Sequence, residues 1–229
     1  MDAIDNLFED HRHIMAVLDV LDVAVIAALN GQLHLPVFER GLAFISTFAD
    51  GAHYAKEERL FAACVVHAVP CAAGPVQCLR MEHEGSKAQT DRMARAIQQI
   101  RAGDVAHWAT LLDASARYSA IVRMHIPKEN LGFFPMSQMM LSTEVRATLA
   151  QEFERIDSAG SIAAAAAGVR RAAVVAAADR KSGGRPVSHA DMYRLEDPRL
   201  PGILREIHEA PDASAVLGTR GQRGNSRLR

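Results

Sequence analysis

The sequence lacks most of what would place a chain in a membrane, on nucleic acid or outside the cell. Its apolar runs are short, well under the ~20 residues that a spanning helix needs. The opening stretch, MDAIDNLFEDHRHIM, carries acids where a secretory leader needs a basic start and an apolar run. Together these absences predict a cytoplasmic protein. An excess of one charge is missing too: 26 Lys and Arg against 27 Asp and Glu leave a formal net charge of −1. Nothing in that balance draws the chain to nucleic acid or an anionic membrane. Cysteine is scarce, with Cys64, Cys71 and Cys78 only. An odd set without CxxC spacing reads as small buried hydrophobes or free thiols in a reducing compartment. Aromatic residues make up 5%, and glycines are few before residue 158, which argues against a β-sandwich or barrel.

What is present is helical periodicity. Apolar residues are 49% of the 229 and charged residues 23%, enough to bury a core. Leu7, Ile14, Leu18, Leu21 and Val25 predict a helix over about 3–29, stopped by Asn30-Gly31. A second runs from Pro36 to about His67, with Gly51 as a weak point inside it. Residues 68–74 form a loop, and Pro75 opens a third helix to about Ala102. Asp104 is placed to cap a fourth, which reaches about Leu131, with Pro127 able to kink it. Residues 139–157 predict a fifth, amphipathic helix. Long helices with short connections imply an all-α, antiparallel up-and-down four-helix bundle with an extra C-terminal helix. The domain expectation is a bundle over 1–157 and an Ala/Gly/Arg-rich, partly helical or mobile tail over 158–229, where large apolar residues are few.

Two segments carry chemistry. His53-Tyr-Ala-Lys-Glu57 and His125-Ile-Pro-Lys-Glu129 repeat one spacing and one intervening lysine. A His and a Glu four residues apart lie one turn apart on one helix face. In an up-and-down bundle, the starts of helices 1 and 3 share an end with the finishes of helices 2 and 4. His11 and His83 lie about eight residues in from their helix starts, and His53 and His125 lie in the later parts of theirs. At about 1.5 Å per residue these fall in nearly one layer, with Glu57 and Glu129 one turn away. Imidazole with carboxylate suits iron, manganese or zinc and argues against calcium or a thiolate site. His13, His34, His67, His107, His189 and His208 fall off that face or layer and are expected to be non-ligands. Met136, Met139 and Met140 read as packing, and Glu58 as a solvated acid.

The order His11, His53xxxGlu57, His83, His125xxxGlu129, flanked by Lys56-Glu57-Glu58, Glu82-His83-Glu84 and Lys128-Glu129-Asn130, resembles the hemerythrin-like (HHE cation-binding) family over about residues 4–157. The resemblance implies a bundle holding a non-haem di-iron centre: two iron ions with an oxo or hydroxo bridge, also bridged by Glu57 and Glu129. It implies a small ligand, a diatomic or peroxide. Oxygen-carrying members place a further His one turn after the third-helix ligand, where this chain has Lys87. One iron is therefore expected to be more open, with Tyr54 and Tyr118 as candidates to fill the gap or to act catalytically. The expected function is redox turnover with hydrogen peroxide, nitric oxide or dioxygen, of a peroxidase, catalase-like or nitric-oxide-consuming kind. The alternative is a non-catalytic oxygen or iron sensor or carrier, with the tail as a partner-binding element.

Overall fold

Asp2 starts the first helix: its side chain accepts the amide of Ile4 at 2.9 Å, and α1 then runs Ala3–Leu29. Asn30 closes it, and Gly31, at φ 83°, takes the left-handed turn that a side chain disfavours. The computed structural model describes residues 2–70 and 74–158; these lie within one unit, Met1–Asp197. The expected tail of residues 158–229 lies, apart from Ser158, outside the described residues. So do Cys71, His189 and His208.

Pro36 sits in the first turn of α2 (Leu35–Phe44), where its missing N–H costs nothing. Then α3 covers Tyr54–Val66, α4 Gly74–Arg101, α5 Trp108–Lys128, α6 Phe134–Met140 and α7 Thr143–Ser158. A wide π segment, Ile45–His53, joins α2 to α3, and a second, Glu129–Phe133, joins α5 to α6. The described residues are thus an all-α bundle of four rods with an extra C-terminal helix, and contain no strand. None of these helices is long and apolar enough to cross a membrane.

The rods alternate in direction, as the short connections predict. One apolar cluster gathers Ile4 and Leu7 from the start of α1, Leu60, Phe61 and Cys64 from α3, and Val76 and Leu79 from the start of α4. Phe133, Phe134, Leu149 and Phe153 complete it. Each such side chain, fully buried, contributes about 1.5–3 kcal/mol. Cys64 is buried there, with its sulfur 3.3 Å from the Ser137 hydroxyl, while Cys78 is exposed. The four-histidine layer lies just inside this plug.

Three expectations need correction. The fourth rod does not end near Leu131: it passes through Gly132 and Pro135 to Met140, and α7 starts at Thr143, not 139. Pro127 lacks the N–H that would bond the Arg123 carbonyl, so it loosens the ladder without stopping it. The backbone widens over Glu129–Phe133 instead, where the Phe134 N–H reaches back five residues to the Glu129 carbonyl. Gly51 is not a mere weak point: a Cβ there would come within 3.0 Å of the Ser46 carbonyl oxygen, so the bare residue suits the π turn. Met136, Met139 and Met140 do not pack. Phe133, Phe134 and Ser137 take the inward face of this stretch, and the methionines are left outside, Met139 at 82% exposure.

Far from the histidine layer, Phe38 is wholly buried and meets Trp108 edge to face at 5.9 Å. Truncation of Phe38 to Ala should destabilise the fold by about 3–5 kcal/mol while leaving metal uptake in the cold intact. Urea unfolding followed by circular dichroism checks the first part; a loss under about 1 kcal/mol contradicts it.

Candidate metal centre

All six predicted ligands converge. α1 presents His11 and α4 presents His83. The second rod presents His53 and Glu57, and the fourth presents His125 and Glu129. Each residue is buried, both glutamates completely. Their ligating atoms form two overlapping sets: His11, His53, Glu57 and Glu129, and Glu57, His83, His125 and Glu129. Within each set the atoms all lie within 4.8 Å of one another. The glutamates belong to both sets.

The distances define the centre. Glu57 Oε1 lies 2.9 Å from His53 Nε2 and 3.6 Å from His11 Nε2, and its Oε2 lies 3.2 Å from His83 Nε2. Glu129 Oε2 lies 3.1 Å from His125 Nε2 and 3.3 Å from His11 Nε2. Proximity here is not hydrogen bonding. His11 Nε2 and all four oxygens of Glu57 and Glu129 are buried with no hydrogen-bond partner among the described residues. Buried carboxylates left in that state carry a penalty of several kcal/mol, which a bound cation removes. The residues therefore fit a metal, and the donor set suits iron, manganese or zinc.

The other imidazole nitrogens are tied down. His11 Nδ1 meets Asn130 Oδ1 at 2.7 Å, His53 Nδ1 meets Asp10 Oδ2 at 3.1 Å, and His125 Nδ1 meets Glu82 Oε2 at 2.9 Å. With Nδ1–H donated outward, each Nε2 keeps its lone pair for the centre. His11 also stacks on Phe134, with centroids 5.2 Å apart. Sequence reasoning missed Asp10, and it quoted Glu82 and Asn130 only as flanking residues of the motifs, without a role. One signal was available for the first: Asp10 falls three residues after Leu7 and four before Ile14, an acid on an apolar stripe.

Tyr54 stacks on His83 at 3.6 Å, and its hydroxyl meets Ser86 Oγ at 2.9 Å. The Tyr118 hydroxyl donates to Asp50 Oδ1 at 3.3 Å, and Thr90 donates to the other oxygen at 2.7 Å. Asp50, which the sequence did not single out, thus anchors a buried polar network on the Lys87 side of His83. Lys87 itself is exposed and joins neither ligand set. Burial raises both phenols well above their ordinary range, so both keep their protons. A cleft of about 470 Å³ opens instead on the opposite side, lined by Phe8, His11, Arg12, Met15, Ile126 and Asn130 among others. Of the expected non-ligands within the described residues, His13 lies beside Glu9 and His107 beside Asp104. His34 precedes α2 and His67 follows α3. Glu58 pairs with Arg80 on the surface.

Fold and site together define a helical bundle with two overlapping histidine–carboxylate clusters able to hold a metal ion. The chain belongs to the hemerythrin family: the model of the hemerythrin HHE cation binding domain matches residues 2–137, more than half of the 229, and that span contains all six residues. No curated protein and no solved structure gives a significant match.

Without metal, the pocket is held by proton-dependent pairs. Burial pushes the His11 and His125 imidazoliums down, but the close, negatively charged carboxylates of Glu129 and Glu57 overcome it, raising them to about 10 and about 9. Burial likewise opposes ionisation of Glu57, but His53, His11 and His83 hold its carboxyl well below the usual range. A raised imidazole pKa contributes stability in full below the ordinary value of about 6.5. That contribution is lost as pH rises through about 9 for His125 and about 10 for His11. Urea midpoints of the metal-free protein should fall across that window, and Glu129→Gln should flatten the decline. Midpoints independent of pH there contradict the pairing.

Proposed function

We propose that the chain holds two iron ions in the twin pocket and reacts with a small oxidant, hydrogen peroxide, nitric oxide or dioxygen, by redox turnover. The observation that carries this reading is the pair of buried glutamates, each shared by both ligand sets and each without a hydrogen bond to either oxygen. Membership of a cation-binding family supports it. Iron bound there supplies one-electron redox chemistry toward such ligands.

The protein's own residues supply the rest. His11, His53, Glu57 and Glu129 would hold one ion; Glu57, His83, His125 and Glu129 would hold the other. Six side chains for two ions leave positions for a small ligand. Asn130, Asp10 and Glu82 keep three of the imidazoles oriented. The cleft beside His11, lined by Phe8, Met15 and Ile126, is the side from which we assign the approach of a diatomic or a peroxide. Phe134, stacked on His11, and Phe61, beside His83, limit water at the inner wall. Tyr54 and Tyr118 are assigned as catalytic groups that keep a proton at the hydroxyl oxygen. Tyr54 acts from its place on His83, and Tyr118 through Asp50.

Metal analysis tests the centre first. Protein loaded anaerobically with iron(II) should hold about two ions per chain. Glu57→Ala, which removes a ligand common to both sets, should lose at least about tenfold in affinity. Uptake at neutral pH should also release protons, since His11 and His125 must give theirs up to bind. Titration calorimetry in buffers of different ionisation enthalpy reads that release, and uptake without it contradicts the assignment.

Stopped-flow mixing of the iron(II) protein with each oxidant tests the reaction. Turnover is expected with at least one, slowed in Tyr54→Phe. A stable, fully reversible oxygen adduct without turnover overturns the redox reading in favour of a carrier.

A further inference from the structure

The lysine repeated inside both HxxKE segments is unused by the chemistry above, and the structure gives it a place. In each segment it meets the carboxylate that holds the Nδ1 of the same segment's histidine. Lys56 Nζ lies 2.6 Å from Asp10 Oδ2, the oxygen that accepts from His53. Lys128 Nζ pairs with Glu82, whose other oxygen accepts from His125. One segment thus supplies a ligand histidine, a ligand glutamate and the cation that pins the histidine's own orienting acid.

The two copies differ in their surroundings. Lys56 has a side-chain exposure of 0% and Lys128 one of 45%. Only the buried copy reaches further into the fold. Lys56 Nζ also donates to Asn6 Oδ1 and to Asp157 Oδ1, each at 2.8 Å, and Asn6 Nδ2 returns a bond to Asp157 Oδ2 at 3.2 Å. Asp157 belongs to the last turns of α7, a helix beyond the 2–137 span of the family model. A continuous chain of polar contacts therefore runs from α7 through Lys56 and Asp10 to His53.

We propose that α7 is a positioning element of the metal centre. Through Asp157 and Lys56 it fixes the Asp10 carboxylate, and with it the His53 ring, so that one ligand set is locked to the C-terminal helix and the other is not. The geometry explains why a lysine should be wholly buried here: three oxygens from two other helices surround its ammonium, which meets the cost of taking it out of water. A solvent-facing pair such as Lys128–Glu82 holds its partner far less firmly. The inference rests on the reading that the pocket binds metal.

Cobalt(II) serves as the probe, with the full-length protein as wild type, Lys56→Met, Asp157→Ala and Lys128→Met. Calorimetry reads affinity, and proton NMR of the cobalt-loaded protein reads the exchangeable ring N–H of His53 and of His125. Lys56→Met and Asp157→Ala should each weaken one binding step by about tenfold. Both should shift or broaden the His53 ring proton while sparing that of His125, a selectivity that general loosening of the fold would not produce. Lys128→Met should change affinity less than about threefold and leave His53 unmoved. If Lys56→Met fails to fold, Asp157→Ala decides alone, because Asp157 is only half-buried. Wild-type affinity in Asp157→Ala with an unmoved His53 proton overturns the proposal, as does an equal loss in Lys128→Met. A wild-type protein that binds no cobalt overturns the underlying reading of the pocket instead.

Discussion

Two carboxylates buried among four imidazoles set the terms for the rest of this molecule. Glu57 and Glu129 are wholly enclosed, and neither makes a hydrogen bond to either of its oxygens. A bundle core tolerates such groups only when opposite charge surrounds them. A bound cation would do this. Without it, protonated histidines do, which is why the same residues respond to pH. His11, near both glutamates, is the side chain on which the two halves of the pocket meet.

The helices answer that constraint by bringing side chains from four directions to one level. α1 and α4 each contribute a single histidine, and the other two rods contribute a histidine and a glutamate each. Beyond them the apolar cluster of α1, α3, α6 and α7 seals one end, so the charged layer is bounded by hydrocarbon and the ligands have few alternative partners. Outside the ligand candidates lie Asn130, Asp10 and Glu82, the two acids tied in turn to Lys56 and Lys128. Order passes outward from the ligand candidates to groups that reach solvent, among them Glu82 and Lys128. Such layering keeps ligand rotamers fixed, which is what metal selectivity and repeated turnover both require.

Much of this was legible in the residues. His53/Glu57 and His125/Glu129 announce themselves because four residues make about one turn, and the depth of His11 and His83 follows from rise per residue alone. The rods were legible for the same reason, through Leu7, Ile14, Leu18 and Leu21. What was not legible depends on neighbours in space. Asp10, Glu82 and Asn130 look like ordinary helix-surface residues until another rod is placed beside them. Asp50 escaped because the π segment changes the phase of the helix around it, so that wheel arithmetic carried from Phe38 no longer holds. The methionines after Pro135 were misread because the inward face of that stretch is taken by the adjacent Phe133 and Phe134, which the second wide turn presents together.

Those two wide turns carry a consequence for how the chain can change. Each abuts a ligand: the first ends on His53 and the second begins on Glu129. Were the same residues of either to adopt ordinary α winding, one flank would swing against the other by about 100° for each residue the wide turn takes up. The ligand would leave the core although every ligating residue were still encoded. Spacing across 45–53 and 129–133 therefore counts as much as the identity of His53 and Glu129 at their ends.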